Sequence, residues 1–297
     1  MPSIRNRFIR KVAILMAPLT MASAVMLAAP NTAAADTIDT VTSSEVAAAL
    51  SGTESGNGDL VAEPVKSAVD SDSAAVVTKN GMTTDVPKDP EDGVSLGADG
   101  APSVIIGLPN ADEAKDAQRT DDGSIIYAGT DGSAQAVIPT ASGAQVLTTI
   151  ANADAPTRYT YDVTVPDGGK VELTDNGEAV VFDGSGAVML VAPVPWAEDS
   201  KGNAVPTHYE TDGKSLTQVV EHNTGNYAYP VVADPSFWGF VGCILGTGLP
   251  IGLAIAVAYA PNTWGAMFSV LRAMNMQPMN ATRYTNMVWG WCRKAIW

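Results

Sequence analysis

Histidine is almost missing from this 297-residue chain, and cysteine is equally rare, with two copies of each. The four residues are His208, His222, Cys243 and Cys292. So few ligands of this kind exclude the common zinc sites, which need spaced cysteines and histidines. The chain also lacks a His-Glu-x-x-His pair, a Gly-x-Ser-x-Gly elbow and a glycine-rich phosphate loop closed by Lys-Ser/Thr. No catalytic residue, metal or cofactor is therefore expected, and the protein reads as a non-enzyme. Both histidines are read as surface or strand-edge residues. Basic residues are scarce too, 17 against 32 acidic, for a formal charge of −15. A surface this acidic repels phosphate backbones, so nucleic acid is not an expected partner.

A second absence is local. Residues 236–297 contain no acidic residue, yet they hold five of the six tryptophans and both cysteines. The tryptophans there are Trp238, Trp264, Trp289, Trp291 and Trp297. This segregation divides the chain into an acidic carrier and an apolar tail. The tail opens with Phe237–Ala260, which has no charged side chain. As one helix those 24 residues would span about 36 Å, enough for a bilayer core of about 30 Å. Pro250 and five glycines argue for a divided helix instead. Beyond Pro261, Trp264, Met267, Phe268 and Leu271 share one helical face, and so do Tyr284, Met287, Val288 and Trp291. The tail is therefore expected to be a small α-helical module. Trp238, Trp264, Phe268, Trp289, Trp291 and Trp297 are its candidate contacts with a membrane lipid or an envelope protein.

At the N-terminus, Arg5, Arg7, Arg10 and Lys11 precede the apolar run Val12–Ala29 and the small residues Ala33-Ala34-Ala35. This pattern is a signal peptide over residues 1–35, with cleavage between Ala35 and Asp36. The chain is thus expected to be secreted or associated with the cell envelope. In an oxidising compartment Cys243 and Cys292 would pair. A bridge closing a loop of that length is worth roughly 4 kcal/mol in the chain-entropy picture. If Phe237–Ala260 crossed a membrane instead, the basic flank of Arg272, Arg283, Arg293 and Lys294 would stay cytoplasmic and no bridge would form. The stapled module is the preferred reading.

Residues 36–100 carry 13 acidic and three basic residues and no aromatic one. Such a composition predicts a disordered acidic segment. A short helix over Ser44–Leu50, capped by Ser44, is the one element expected there. From 101 to 235 the pattern becomes that of strands. Tyr159, Tyr161, Val163 and Val165 alternate with Arg158, Thr160, Asp162 and Thr164, the period of a half-buried strand. Eleven strands are predicted: 104–108, 124–128, 134–138, 145–150, 158–165, 170–174, 179–182, 188–191, 207–211, 215–221 and 228–232. Asp131-Gly132, Asn176-Gly177 and Asp212-Gly213 supply turn chemistry between them. The expected fold is a mainly β domain, an antiparallel sandwich or barrel. Oxygen-rich loops such as Glu198–Asn203 match no calcium-loop pattern and are read as turns.

The stretches Tyr159–Pro166, Val194–Thr207, Leu216–His222 and Tyr229-Pro-Val-Val-Ala-Asp-Pro235 are similar to a group of uncharacterised secreted actinobacterial proteins. In that group an acidic β-rich body ends in such a motif and precedes a variable, often apolar, cysteine-containing C-terminus. The resemblance implies a constant carrier with a variable tail. The leading expectation is an exported carrier whose tail engages a membrane or partner. A toxin precursor cut near Pro235 and a carboxylate-based secreted hydrolase are the other classes considered.

Overall fold

The computed structural model describes residues 40–56, 60–79, 82–98, 102–166, 168–175, 177–184, 186 and 188–239. The expected signal peptide with its Ala35–Asp36 cleavage site lies outside the described residues. So do Cys243, Cys292, Trp264, Phe268, Trp289, Trp291 and Trp297, and with them the expected disulfide and helical module.

Among the described residues one α-helix, α1 (Ser43–Gly56), precedes a body of 17 strands. They are β1 (Ser73–Lys79), β2 (Met82–Pro87), β3 (Val94–Ala98), β4 (Val104–Ile106), β5 (Gln118–Arg119) and β6 (Ile125–Tyr127). Then follow β7 (Ser133–Pro139), β8 (Gly143–Ile150), β9 (Arg158–Thr164), β10 (Lys170–Leu173), β11 (Ala179–Phe182) and β12 (Val188–Ala192). The last are β13 (Trp196–Asp199), β14 (Thr207–Thr211), β15 (Ser215–Val220), β16 (Val231–Asp234) and β17 (Ser236–Gly239). Every pairing is antiparallel.

One sheet has seven strands in the order β1-β2-β3-β4-β9-β15-β14. The larger runs β10-β11-β12-β17-β8-β7-β6-β5, with β13 and β16 branching from β8. A single apolar core unites the two. Leu96, Ile106, Tyr159, Tyr161 and Leu216 from the smaller sheet meet Tyr127, Val146, Ile150, Leu190 and Phe237 from the larger. Each such side chain, fully buried, contributes about 1.5–3 kcal/mol. The expected alternation in β9 is present: Tyr159, Tyr161 and Val163 are buried, and Arg158, Thr160, Asp162 and Thr164 are exposed.

The larger sheet has a second covered face. Ile126, Ala136, Ile138, Leu147 and Val232 point away from the main core and pack with Val46, Ala49 and Leu50 of α1. Hence all seven residues of β7 and all eight of β8 are buried. A strand covered on both faces shows no solvent side, so the strict polar–apolar alternation of β9 is missing here, and the polar residues Gln135, Gln145, Thr148 and Thr149 are buried with the rest.

Most predicted strands are present, with ends moved by one to three residues. Four corrections stand out. Residues 36–100 are not a disordered segment as far as they are described, because α1 and β1 to β3 are built from them. The β body therefore begins at Ser73, not near 101. It also continues past 235, since Ser236–Gly239 is a strand and not the start of a helix. Finally, the N-cap of α1 is Thr42 and not Ser44. The Thr42 backbone N–H donates to Glu45 Oε2 at 2.8 Å, and the Glu45 N–H donates to Thr42 Oγ1 at 3.4 Å. This reciprocal pair satisfies two helix-end donors at once.

Candidate functional site

Two places on the larger sheet gather unusual side chains: the junction where the described body ends, and a cleft beside α1.

The junction is built on β8. Val231 pairs with Ile150 and Ala233 with Thr148; Ser236 then pairs with Gln145 and Trp238 with Gly143. The register is the same before and after Pro235. β16 and β17 are thus one continuous line of chain beside β8, broken only because proline has no N–H to donate. Its carbonyl still serves, accepting from the Val146 N–H at 2.9 Å. On the far side this line forks. Its first half pairs with β13 and its second half with β12.

Asp234 stands at the fork. It is 4 % exposed, and its Oδ1 accepts hydrogen bonds from Gln145 Nε2 at 3.0 Å and Ser236 Oγ at 2.8 Å. Burial pushes its acid up to about 7; hydrogen bonds from Ser236, Gln145 and the Trp196 side chain oppose that shift without cancelling it. Gln145 also holds the chain that follows α1, donating to the Leu60 carbonyl at 2.9 Å and accepting from the Ala62 N–H at 2.7 Å. On the core side Phe237 is 1 % exposed, its ring 5.8 Å from that of Tyr161. Phe237, expected to open the apolar tail, is here part of the body's interior. Trp238 belongs to the same strand by its backbone.

The cleft, of about 710 Å³, lies between α1 and the turn after β13. Ala48, Ala49, Gly52, Thr53 and Gly56 form its helical wall, and Glu198–Gly202 face them. Val232 and Thr149 also line it, and Tyr229 and Pro230, joined by a cis peptide bond, contribute as well. Asp199 organises the turn. It accepts from the N–H groups of Lys201 at 2.9 Å, Asn203 at 2.9 Å and Ala228 at 3.0 Å, and from the Asn203 amide. Burial raises its acid, but the Asn203 amide and the backbone donors of Ala228, Asn203 and Lys201 outweigh it and hold the group down at about 2. The loop is a turn, as the sequence suggests. Its carboxylate is already saturated with N–H donors.

His222 departs from expectation. It is 1 % exposed, its Nε2 donates to the Pro156 carbonyl at 3.0 Å, and its Nδ1 lies 3.0 Å from Tyr229 Oη. Closure of the chain around the Tyr229–Pro230 bend buries it. Sequence spacing gave no signal for that, because the partner Pro156 is 66 positions away. His208 does lie on the surface, with Nε2 3.6 Å from Glu210 Oε1, and Glu210 also takes the Arg158 guanidinium.

Among the described residues, no group of three or more His, Cys, Asp or Glu side chains could hold a metal ion. Among the same residues no helix is long and apolar enough to cross a membrane. Comparison with protein-family models finds no match, and comparison with curated proteins finds none either, so what this chain does has to be argued from its own residues.

Proposed function

We propose that the protein is an exported, non-enzymatic carrier. Its acidic β body presents the apolar, tryptophan-rich residues 240–297 to a membrane or to a protein partner in the cell envelope. The observation that carries this reading is the abrupt change of composition at the end of the body. Between residues 36 and 235 the formal charge is −23, and residues 236–297 carry +4 with no acid. A highly charged body keeps an apolar cargo in solution, while basic ends and tryptophans suit an anionic lipid surface. A Cys243–Cys292 bridge would hold the cargo compact.

Placement of β17 bears on how the cargo is attached. A precursor cut at Pro235 would lose a strand lying between β12 and β8, together with Phe237 from the core. That weighs against a toxin released at Pro235 and in favour of a tail that works while joined to its body.

Vesicle flotation tests the proposal. The chain 36–297 should float with anionic vesicles, and a chain ending at Gly239 should stay in solution. Failure of the longer chain to float, with no dye-accessible apolar surface on it, would remove the basis for this function.

A further inference from the structure

The cleft beside α1 holds a side chain that the fold leaves unanswered. Glu198 is 8 % exposed and lines the cleft, yet its carboxylate has no hydrogen bond or ion pair among the described residues. Its neighbour Asp199 has N–H donors throughout. Its oxygens reach the open cleft, so they are placed to take donors from whatever enters it. The carboxylate is also closely framed. A β-carbon placed on Gly56 would lie 3.8 Å from Glu198 Oε1, and one on Gly202 would lie 3.6 Å from it. Glycine on either side leaves room against the acid.

Further in, Thr149 is 1 % exposed, and its Oγ1 is buried without a hydrogen-bond partner. Thr149 and Glu198 flank Val232 on either side, so this wall of the cleft carries one hydroxyl sealed from solvent and one carboxylate open to it. The wall opposite is mostly small, with Ala48, Ala49, Gly52, Thr53 and Gly56 beside Glu45, and Lys201 lines the cleft as well; outside the helix's own backbone no atom stands within 4 Å of a β-carbon built on Gly52. A slot with small apolar walls and a carboxylate suits a slender aliphatic stem ending in a positively charged, hydrogen-bond-donating head.

We propose that this cleft is a binding site for an ammonium- or guanidinium-bearing group. Glu198 pairs with the charged head. The group could belong to a free organic cation or to the chain's own Arg272, Arg283, Arg293 or Lys294, the cations beyond the body.

The test is a titration of the full secreted chain, in neutral detergent, with n-butylguanidinium and with its uncharged isostere n-butylurea, followed by NMR. Charged-ligand binding at least tenfold tighter than the urea, and weakened at least tenfold by Glu198→Gln, is the expected result. A variant with the four tail cations changed to glutamine separates the sources. Equal binding to it and to the parent means a free cation is the natural ligand; binding seen only in that variant means the tail fills the cleft. Equal affinity for both ligands, no binding in either chain, or no effect of Glu198→Gln would overturn the proposal. Melting curves guard against misfolding. Without ligand, Glu198→Gln should melt no lower than the parent, and with ligand only a chain that binds it and keeps Glu198 should gain.

Discussion

At the scale of single residues, Asp234 is the most exposed to test. Its acid is ordinarily near 3.8 and stands at about 7 in the fold. The native state thus keeps a proton that the unfolded chain surrenders. Stability from this group is full below about pH 4, declines as pH rises toward 7 and is lost above it. The span corresponds to something on the order of 4 kcal/mol. Asp199 runs the other way, contributing stability above pH 3.8 that is lost as pH falls through about 2. Asp234→Asn should accordingly melt higher than the parent at pH 8 and lose most of that advantage at pH 4.5. Parallel melting profiles for the two chains would show that Asp234 does not hold its proton. Thr42 is a simpler case. Removing its cap in Thr42→Ala should cost about 1 kcal/mol, measured by urea unfolding.

At the scale of elements, the line formed by β16 and β17 decides where the body ends. A chain stopped after Pro235 lacks Phe237 and leaves β8 and β12 with open edges. It should be unfolded or aggregated where a chain stopped after Gly239 is cooperative. Phe237→Ala in the full chain should cost about 3–5 kcal/mol. If circular dichroism finds both truncations equally folded, β17 is dispensable. This element also shows what the sequence reveals and what it hides. β9 was legible because its alternation faces one core and one solvent side. The Tyr229–Pro235 motif was legible as a motif, but its role was not. Val231, Val232, Ala233 and Asp234 form the inner line of the larger sheet, which is a structural task. β17 was hidden because Phe237 and Trp238 continue directly into uncharged residues, and composition alone cannot show a break there. β1 and β2 were missed for another reason. Their buried positions are small, such as Ala74, Ala75, Val77, Thr84 and Val86, and the acid-rich average over residues 36–100 concealed the local alternation. Thr149 carries no sequence signal and Glu198 is read only as part of a turn, since the two flank Val232 only through pairing of β13 and β8 with β16.

For the whole molecule, charge is the organising quantity. The ion pairs among the described residues include Arg158–Glu210 and Lys170–Glu172, both on exposed side chains, against a large excess of acid. Exposed pairs of this kind contribute little, about 0–1 kcal/mol each. Self-repulsion is therefore only weakly offset, and salt should screen it. Raising sodium chloride from about 10 mM to about 150 mM, across the range where the screening length falls to about 8 Å, should raise the melting midpoint of the chain ending at Gly239. A midpoint that falls or stays level would mean that favourable charge pairs dominate the body. The same excess explains the division of labour proposed above, in which an acidic body keeps apolar residues soluble until they meet their target.

Hydrogen–deuterium exchange of the chain 36–297, with and without anionic vesicles, tests that division most directly. New protection confined to residues after Gly239, with α1 and both sheets unchanged, is the expected result. Protection appearing instead on α1 or on the outer face of the seven-stranded sheet, or nowhere, would contradict a carrier that engages its target through the tail.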